Sequence, residues 1–325
     1  MNSAIHEEII DPAREIIDSH HHLWDRPGSR YMVEEFLRDA QAGHRVRQSV
    51  FIQCRTGYRH GTLDSPALET RAIADATRAC QQLASGVRVA AGIVGYADMR
   101  QGAQIAALLE AHIEAGDGRF KGVRHIVSWA DGAEFQVEGY PTSEGMLRTP
   151  AFGAALRELA RLDLSFEAMV YHTQLGELAA LAADHDNVRI VLNHIGLPLG
   201  IGQYAASKDQ VFAQWCAGLQ ALARYPNVCL KLGGMGMHML GLELDHLPGP
   251  LSSLEVAQAY RPYIDACVQA FGPERCMFES NFPVDRTRCH YPTLWNAFKR
   301  AVSGYSEHDR NRLFSDTAKQ FYRLL

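Results

Sequence analysis

No stretch of about 18 consecutive apolar residues occurs in this sequence of 325 residues, so it offers no membrane-spanning helix. The opening residues, Met1 to Glu8, carry acids and lack the apolar core of a signal peptide, so secretion by that route is not expected. None of the seven cysteines stands in a CxxC spacing. They read as reduced, mostly buried thiols of a cytoplasmic protein. Basic charge is not in excess: the formal net charge is -5, which favours solubility and disfavours a nucleic-acid surface. No linker or low-complexity run divides the chain, so residues 1–325 are expected to form one domain. No Gly-x-Gly-x-x-Gly turn follows the first apolar stretch, which argues against a doubly wound dinucleotide-binding sheet.

What the chain does have is a regular alternation. Hydrophobic residues make up 47% and charged residues 21%, ample for a globular core. Apolar strand-like runs near residues 16–22, 46–54, 87–96, 120–127, 164–171, 188–195, 228–233 and 275–282 alternate with helical stretches. Among the latter are 101–114, 174–185, 208–224 and 254–271, and a last helix is expected over 307–324. Eight strand–helix units imply right-handed crossovers and a parallel sheet, most simply closed as a (β/α)₈ TIM barrel. The helix-to-strand links are short, such as Asp186-Asn187 and Gly272-Pro273, whereas the strand-to-helix links are long. Long loops at the carboxyl ends of barrel strands are where such folds keep their sites.

The first strand runs into Asp18-Ser19-His20-His21-His22-Leu23-Trp24-Asp25. Alternation along a strand places Asp18, His20 and His22 on one face, where two imidazoles could grip one metal ion or polarise a substrate oxygen. Other polar residues gather at later strand ends: Arg124 and His125, His172, Asn193 and His194, Lys231, then Glu279 and Asn281. A charged side chain within an apolar strand, as at Arg124 and Lys231, needs a charged partner in the protein or in a substrate. His125 has the opposite parity and could face a helix. Arg55 and Tyr58, on the loop after the second strand, are further candidate substrate contacts.

The run 18–25 resembles the opening signature of the amidohydrolase-related, lactonase-like metal-hydrolase family. Phe120-Lys121-Gly122-Val123-Arg124-His125 is similar to its fourth-strand motif, and Val191-Leu192-Asn193-His194-Ile195-Gly196-Leu197-Pro198 to its sixth. Asn227 to Gly234 is similar to the seventh, and Cys276 to Asp285 to the eighth. The resemblance runs in order from about residue 16 to 323 and implies an amidohydrolase-type barrel. It further implies a hydrolase, with lactones of sugars or of aromatic catabolism as the substrate class and non-oxidative decarboxylation as the alternative.

Two departures matter. The family's common eighth-strand pattern is Gly-Ser-Asp-Trp-Pro, with Asp as acid–base, but this chain reads Glu279-Ser280-Asn281-Phe282-Pro283. A neutral amide takes no proton from water at pH 7, so the role passes to Glu279 or Asp285, or the chain is a silent binding protein. The lysine that bridges two metals in some relatives is absent from strand four, so the site is expected to hold one divalent ion (zinc or manganese) or none. The expected ligands are His20, His22 and His194; Glu279, Asn281, Asp285 and His194 are the catalytic candidates. Arg124, His125, His172, Lys231, Arg55 and Tyr58 are expected to bind an anionic or carbohydrate-like substrate, and a homo-oligomer is allowed for.

Overall fold

The computed structural model describes residues 7–56, 65–82, 86–242, 244 and 250–325. Eight strands form one parallel sheet in sequence order: β1 (Glu15–His21), β2 (Arg45–Ile52), β3 (Arg88–Gly95), β4 (Phe120–Ile126), β5 (Ser165–Met169), β6 (Ile190–Leu192), β7 (Val228–Leu232) and β8 (Cys276–Phe278). The (β/α)₈ barrel expected from the alternation is the observed fold. Helices α1 (Val33–Ala40), α2 (Ser65–Ala76), α3 (Ala106–Ala115), α4 (Pro150–Arg161), α5 (Leu175–Asp184), α6 (Lys208–Leu222), α7 (Ser253–Phe271) and α8 (Tyr291–Ala301) follow the strands in turn. Their starts are written locally. Thr149 caps α4 ahead of Pro150, and Ser252 with Glu255 forms a capping box on α7.

Side-chain alternation sorts each strand into two faces. Phe51, Val123, Phe166, Leu192, Leu230 and Phe278 pack outward into the main hydrophobic cluster. Ile17, Val50, Ile52, Val94, Val191 and Met277 point inward and fill the barrel's amino-terminal floor. That floor is closed from below by Ala318, Phe321, Tyr322 and Leu324. The closing segment is α9 (Glu307–Asn311), a π turn over Arg312–Asp316 and α10 (Thr317–Tyr322), rather than one continuous helix. The helix expected over 101–114 likewise begins as a 3₁₀ segment, Met99–Ile105. Gly102 breaks it at φ 61° before α3 takes over.

The barrel closes between β8 and β1 without a long ladder. The Asn281 N–H donates to His20 O (2.9 Å), the His22 N–H to Phe282 O (2.7 Å) and the Ser19 hydroxyl to Phe278 O (2.9 Å). The strand pattern expected through Phe282 stops at Phe278, and Asn281 adopts a left-handed φ of 54°. Strand six stops at Leu192 for a similar reason, with His194 and Ile195 at φ 51° and 55°. All seven cysteines are unpaired, five of them buried. Among the described residues no helix is long and apolar enough to cross a membrane.

Candidate active site

Above the apolar floor the inward positions turn polar. β1 delivers His20, β4 Arg124, β5 Glu167 and β7 Lys231, while His22, Asn193, His194 and Glu279 lie just past the ends of β1, β6 and β8; all are buried. Asp18 does not join them. The β1–β2 register shifts between Asp18 and His21, and this irregularity turns Asp18 out of phase with His20. Its carboxylate instead accepts hydrogen bonds from the Ser280 N–H (2.9 Å), the Ser280 hydroxyl (2.6 Å) and the Tyr291 hydroxyl (3.0 Å), outside the barrel.

Glu279 holds the centre. One carboxylate oxygen lies 2.7 Å from His194 Nδ1, and the other lies 2.8 Å from His20 Nδ1, close but out of line for a hydrogen bond. His22 Nδ1 lies 2.8 Å from the Ile52 carbonyl, which only accepts, so that nitrogen carries the proton and Nε2 is a bare lone pair. His22 Nε2 in turn lies 3.3 Å from His20 Nε2. With a proton on His20 Nδ1, two lone pairs face each other at that distance. With the proton on Nε2, a lone pair faces the Glu279 carboxylate. Either tautomer sets like against like, and a bound cation relieves both conflicts. Burial, followed by the charge of Lys231, drives the pKa of His20 well down, and burial followed by Arg124 does the same for His22. Both are therefore neutral imidazoles, the form that ligates metal.

One ligand atom each from His20, His194 and Glu279 lie within 4.8 Å of one another, all buried. Two nitrogens and a carboxylate oxygen suit zinc or manganese. His22, expected as a ligand, stands beside this triad; Glu279, expected only as an acid–base group, belongs to it.

Arg124 donates to the Gln53 carbonyl and approaches His20 Nε2 at 3.4 Å. Among the described residues it forms no ion pair, and its Nε has no partner. Lys231 is different, because Glu167 meets its Nζ at 2.7 Å. His172 is buried at the mouth beside Tyr204, with Nδ1 accepting from the Leu199 N–H (3.3 Å) and Nε2 without a partner among the described residues. Arg55 stacks over the Tyr140 ring at 3.5 Å, and the Tyr140 hydroxyl donates to the Gln53 side chain at 2.8 Å. Asp285 accepts from Asn281 Nδ2 (2.8 Å) and the Gly236 N–H (3.1 Å), and burial pushes its pKa up to about 7. A carboxylate only accepts, so the Asn281 amide turns its NH₂ to Asp285.

His125 is not brought to this cluster. Its opposite parity puts it between β4 and α4, stacked on Phe152 and accepting from the Met99 N–H. Tyr58 lies outside the described residues. Glu167 and Tyr322 escape the sequence reading. Glu167 carries the signal used for Arg124, a charge inside an apolar strand, whereas nothing local marks Tyr322.

A parallel barrel with buried imidazoles and carboxylates at the carboxyl ends of its strands defines a hydrolase of the amidohydrolase type. The chain belongs to the amidohydrolase family, whose pattern matches residues 17–324. It is 31% identical to the uncharacterized protein y4mH of Sinorhizobium fredii, over 95% of this chain and 98% of that one. It is 28% identical to the L-fucono-1,5-lactonase of Burkholderia multivorans, over 95% and 96%. A solved amidohydrolase from Burkholderia multivorans with bound zinc superposes with a TM-score of 0.72 at 25% identity, covering 95% of this chain and 99% of that chain.

Proposed function

We propose that this protein opens a lactone of a small sugar acid by hydrolysis. The observation that carries the reading is the Glu279 carboxylate set between the His20 and His194 imidazoles, beside an Arg124 guanidinium that meets no carboxylate among the described residues. The likeness to two L-fucono-1,5-lactonases supports the substrate class. In this reading Arg124 grips a hydroxyl or carboxylate of the substrate and orients the ring. Water attacks the carbonyl carbon, Glu279 takes up the water's proton, and the ring C–O bond breaks. Glu279, held by its hydrogen bond with His194, then passes that proton to the departing ring oxygen. His172, whose Nε2 has no partner among the described residues, contacts the substrate's outer hydroxyls. A divalent ion held by His20, His194 and Glu279 would polarise the carbonyl as a Lewis acid.

The test is proton release in weak buffer on mixing the purified protein with L-fucono-1,5-lactone and other sugar-acid lactones. Acid release from at least one is expected. No release from any lactone, with carbon dioxide formed from an aromatic acid, would replace this reading by a decarboxylase. Elemental analysis should find no more than one divalent ion per chain, and two would overturn the single-ion site.

A further inference from the structure

The last helix does more than stop the barrel's floor. Most of what rises into the floor from α10 is apolar, yet Tyr322, fully buried, carries a hydroxyl to the Glu167–Lys231 pair beneath the histidines. That hydroxyl donates to Oε1 of Glu167. The other oxygen, Oε2, accepts from Lys231 Nζ at 2.7 Å and from Asn193 Nδ2 at 2.8 Å. Lys231 Nζ also lies 5.4 Å over the Tyr322 ring, so one side chain touches both members of the pair. From there Lys231 reaches His20 Nδ1 at 3.4 Å.

Packing alone does not ask for this hydroxyl. A phenylalanine would fill the same floor beside Ile17, Val50, Val191 and Met277 without desolvating a phenol. What the hydroxyl does is fix Glu167, and Glu167 decides where Lys231 sits. Lys231 lies in the field of two buried carboxylates, Glu167 below and Glu279 above. Held by Glu167, it leaves Glu279 to His20 and His194. Released, it is drawn up toward Glu279 and competes with the two imidazoles for its oxygens.

We infer that Tyr322 is a positioning residue for the reaction site at the far end of the barrel, anchoring Glu167 so that Lys231 stays beneath His20 and off Glu279. The inference rests on the reading of His20, His194 and Glu279 as that site.

The test is Tyr322→Phe in the full-length protein, with Glu167→Gln as a second variant that weakens the grip on Lys231 directly. Steady-state kinetics, thermal midpoint and the ring ¹⁵N signals of the histidines are measured on each. A lost hydrogen bond to a buried charge predicts a fall in kcat of about tenfold or more, with KM within about twofold and the thermal midpoint lowered by a few degrees. The His20 ring signals should shift while those of His112, buried outside the barrel, stay in place. An unchanged kcat with unmoved His20 signals overturns the inference, even if the protein melts earlier, because a merely structural plug would give that result. If the wild-type protein hydrolyses no lactone, the function reading fails, and the histidine spectra alone still decide the role of Tyr322.

Discussion

Two buried polar regions lie within a few residues of each other on β1, and they are built on opposite terms. On the outer side of the β1–β8 seam, Asp18 is surrounded by donors: the Ser280 N–H and hydroxyl, the Tyr291 hydroxyl and the His20 N–H. On the inner side, two residues on, His20 faces a second imidazole, a guanidinium, a lysine and a carboxylate, and no proton placement satisfies them all. Arg124 Nε, His172 Nε2 and Asn193 Oδ1 add polar atoms there with no partner among the described residues. A network with every valence met stabilises a fold. One left in internal conflict is held there by the scaffold and has its purpose in what it binds.

Substitutions on the two sides should therefore fail in different ways. The largest effect is expected at Glu279→Gln, which keeps the shape and removes the proton acceptor. kcat should fall on the order of 10² or more with the fold intact by circular dichroism, and near-normal kcat would move the search to Asp285. Arg124→Met comes next. It should lower kcat/KM by about 10- to 100-fold, chiefly through KM, while full activity would show the guanidinium to be an internal strut. Across the seam the signature reverses. Asp18→Ala should cost about 2–4 kcal/mol of stability in denaturant titration, with kcat at low temperature within about threefold of normal.

The smallest effect sharpens the comparison through pH. Glu69 on α2 is buried, and its Oε1 accepts from the N–H groups of Cys54 and Thr56; Oε2 has no partner among the described residues. Burial raises its pKa from 4.5 to about 7, so the folded state holds this proton more tightly than the unfolded chain. Its contribution to stability is greatest below pH 4.5 and is lost as pH rises through 7. Glu69→Gln keeps the acceptor and removes the charge. Its melting point should match the wild type near pH 4 and exceed it by about 2–4 °C at pH 8. An advantage of the same size at both pH values would refute the assignment.

The barrel and its working rim are legible in the sequence because both follow from periodicity: strand and helix alternate, and polar residues recur at strand ends. Deviations from periodicity are not legible. The register shift that turns Asp18 outward, and the left-handed residues that end β6 and β8 early, are settled by closure of the sheet. Which charges pair is also beyond local reading. Glu279 could have met Lys231 or Arg124 but meets two histidines, and Lys231 finds Glu167, 64 residues away in the chain.

The seam itself has a kinetic consequence. His20 and His22 stand on one side of it and Glu279 and Asn281 on the other, yet the backbone joins them through few hydrogen bonds, against five consecutive register pairs between β4 and β5. Local opening should begin at this junction. The amide protons of His22 and Asn281 would then exchange with solvent well before those of the β4–β5 ladder. On warming, catalytic capacity would vanish below the temperature at which the helices melt, because parting the two edges takes the reaction centre apart while most of the molecule stays folded.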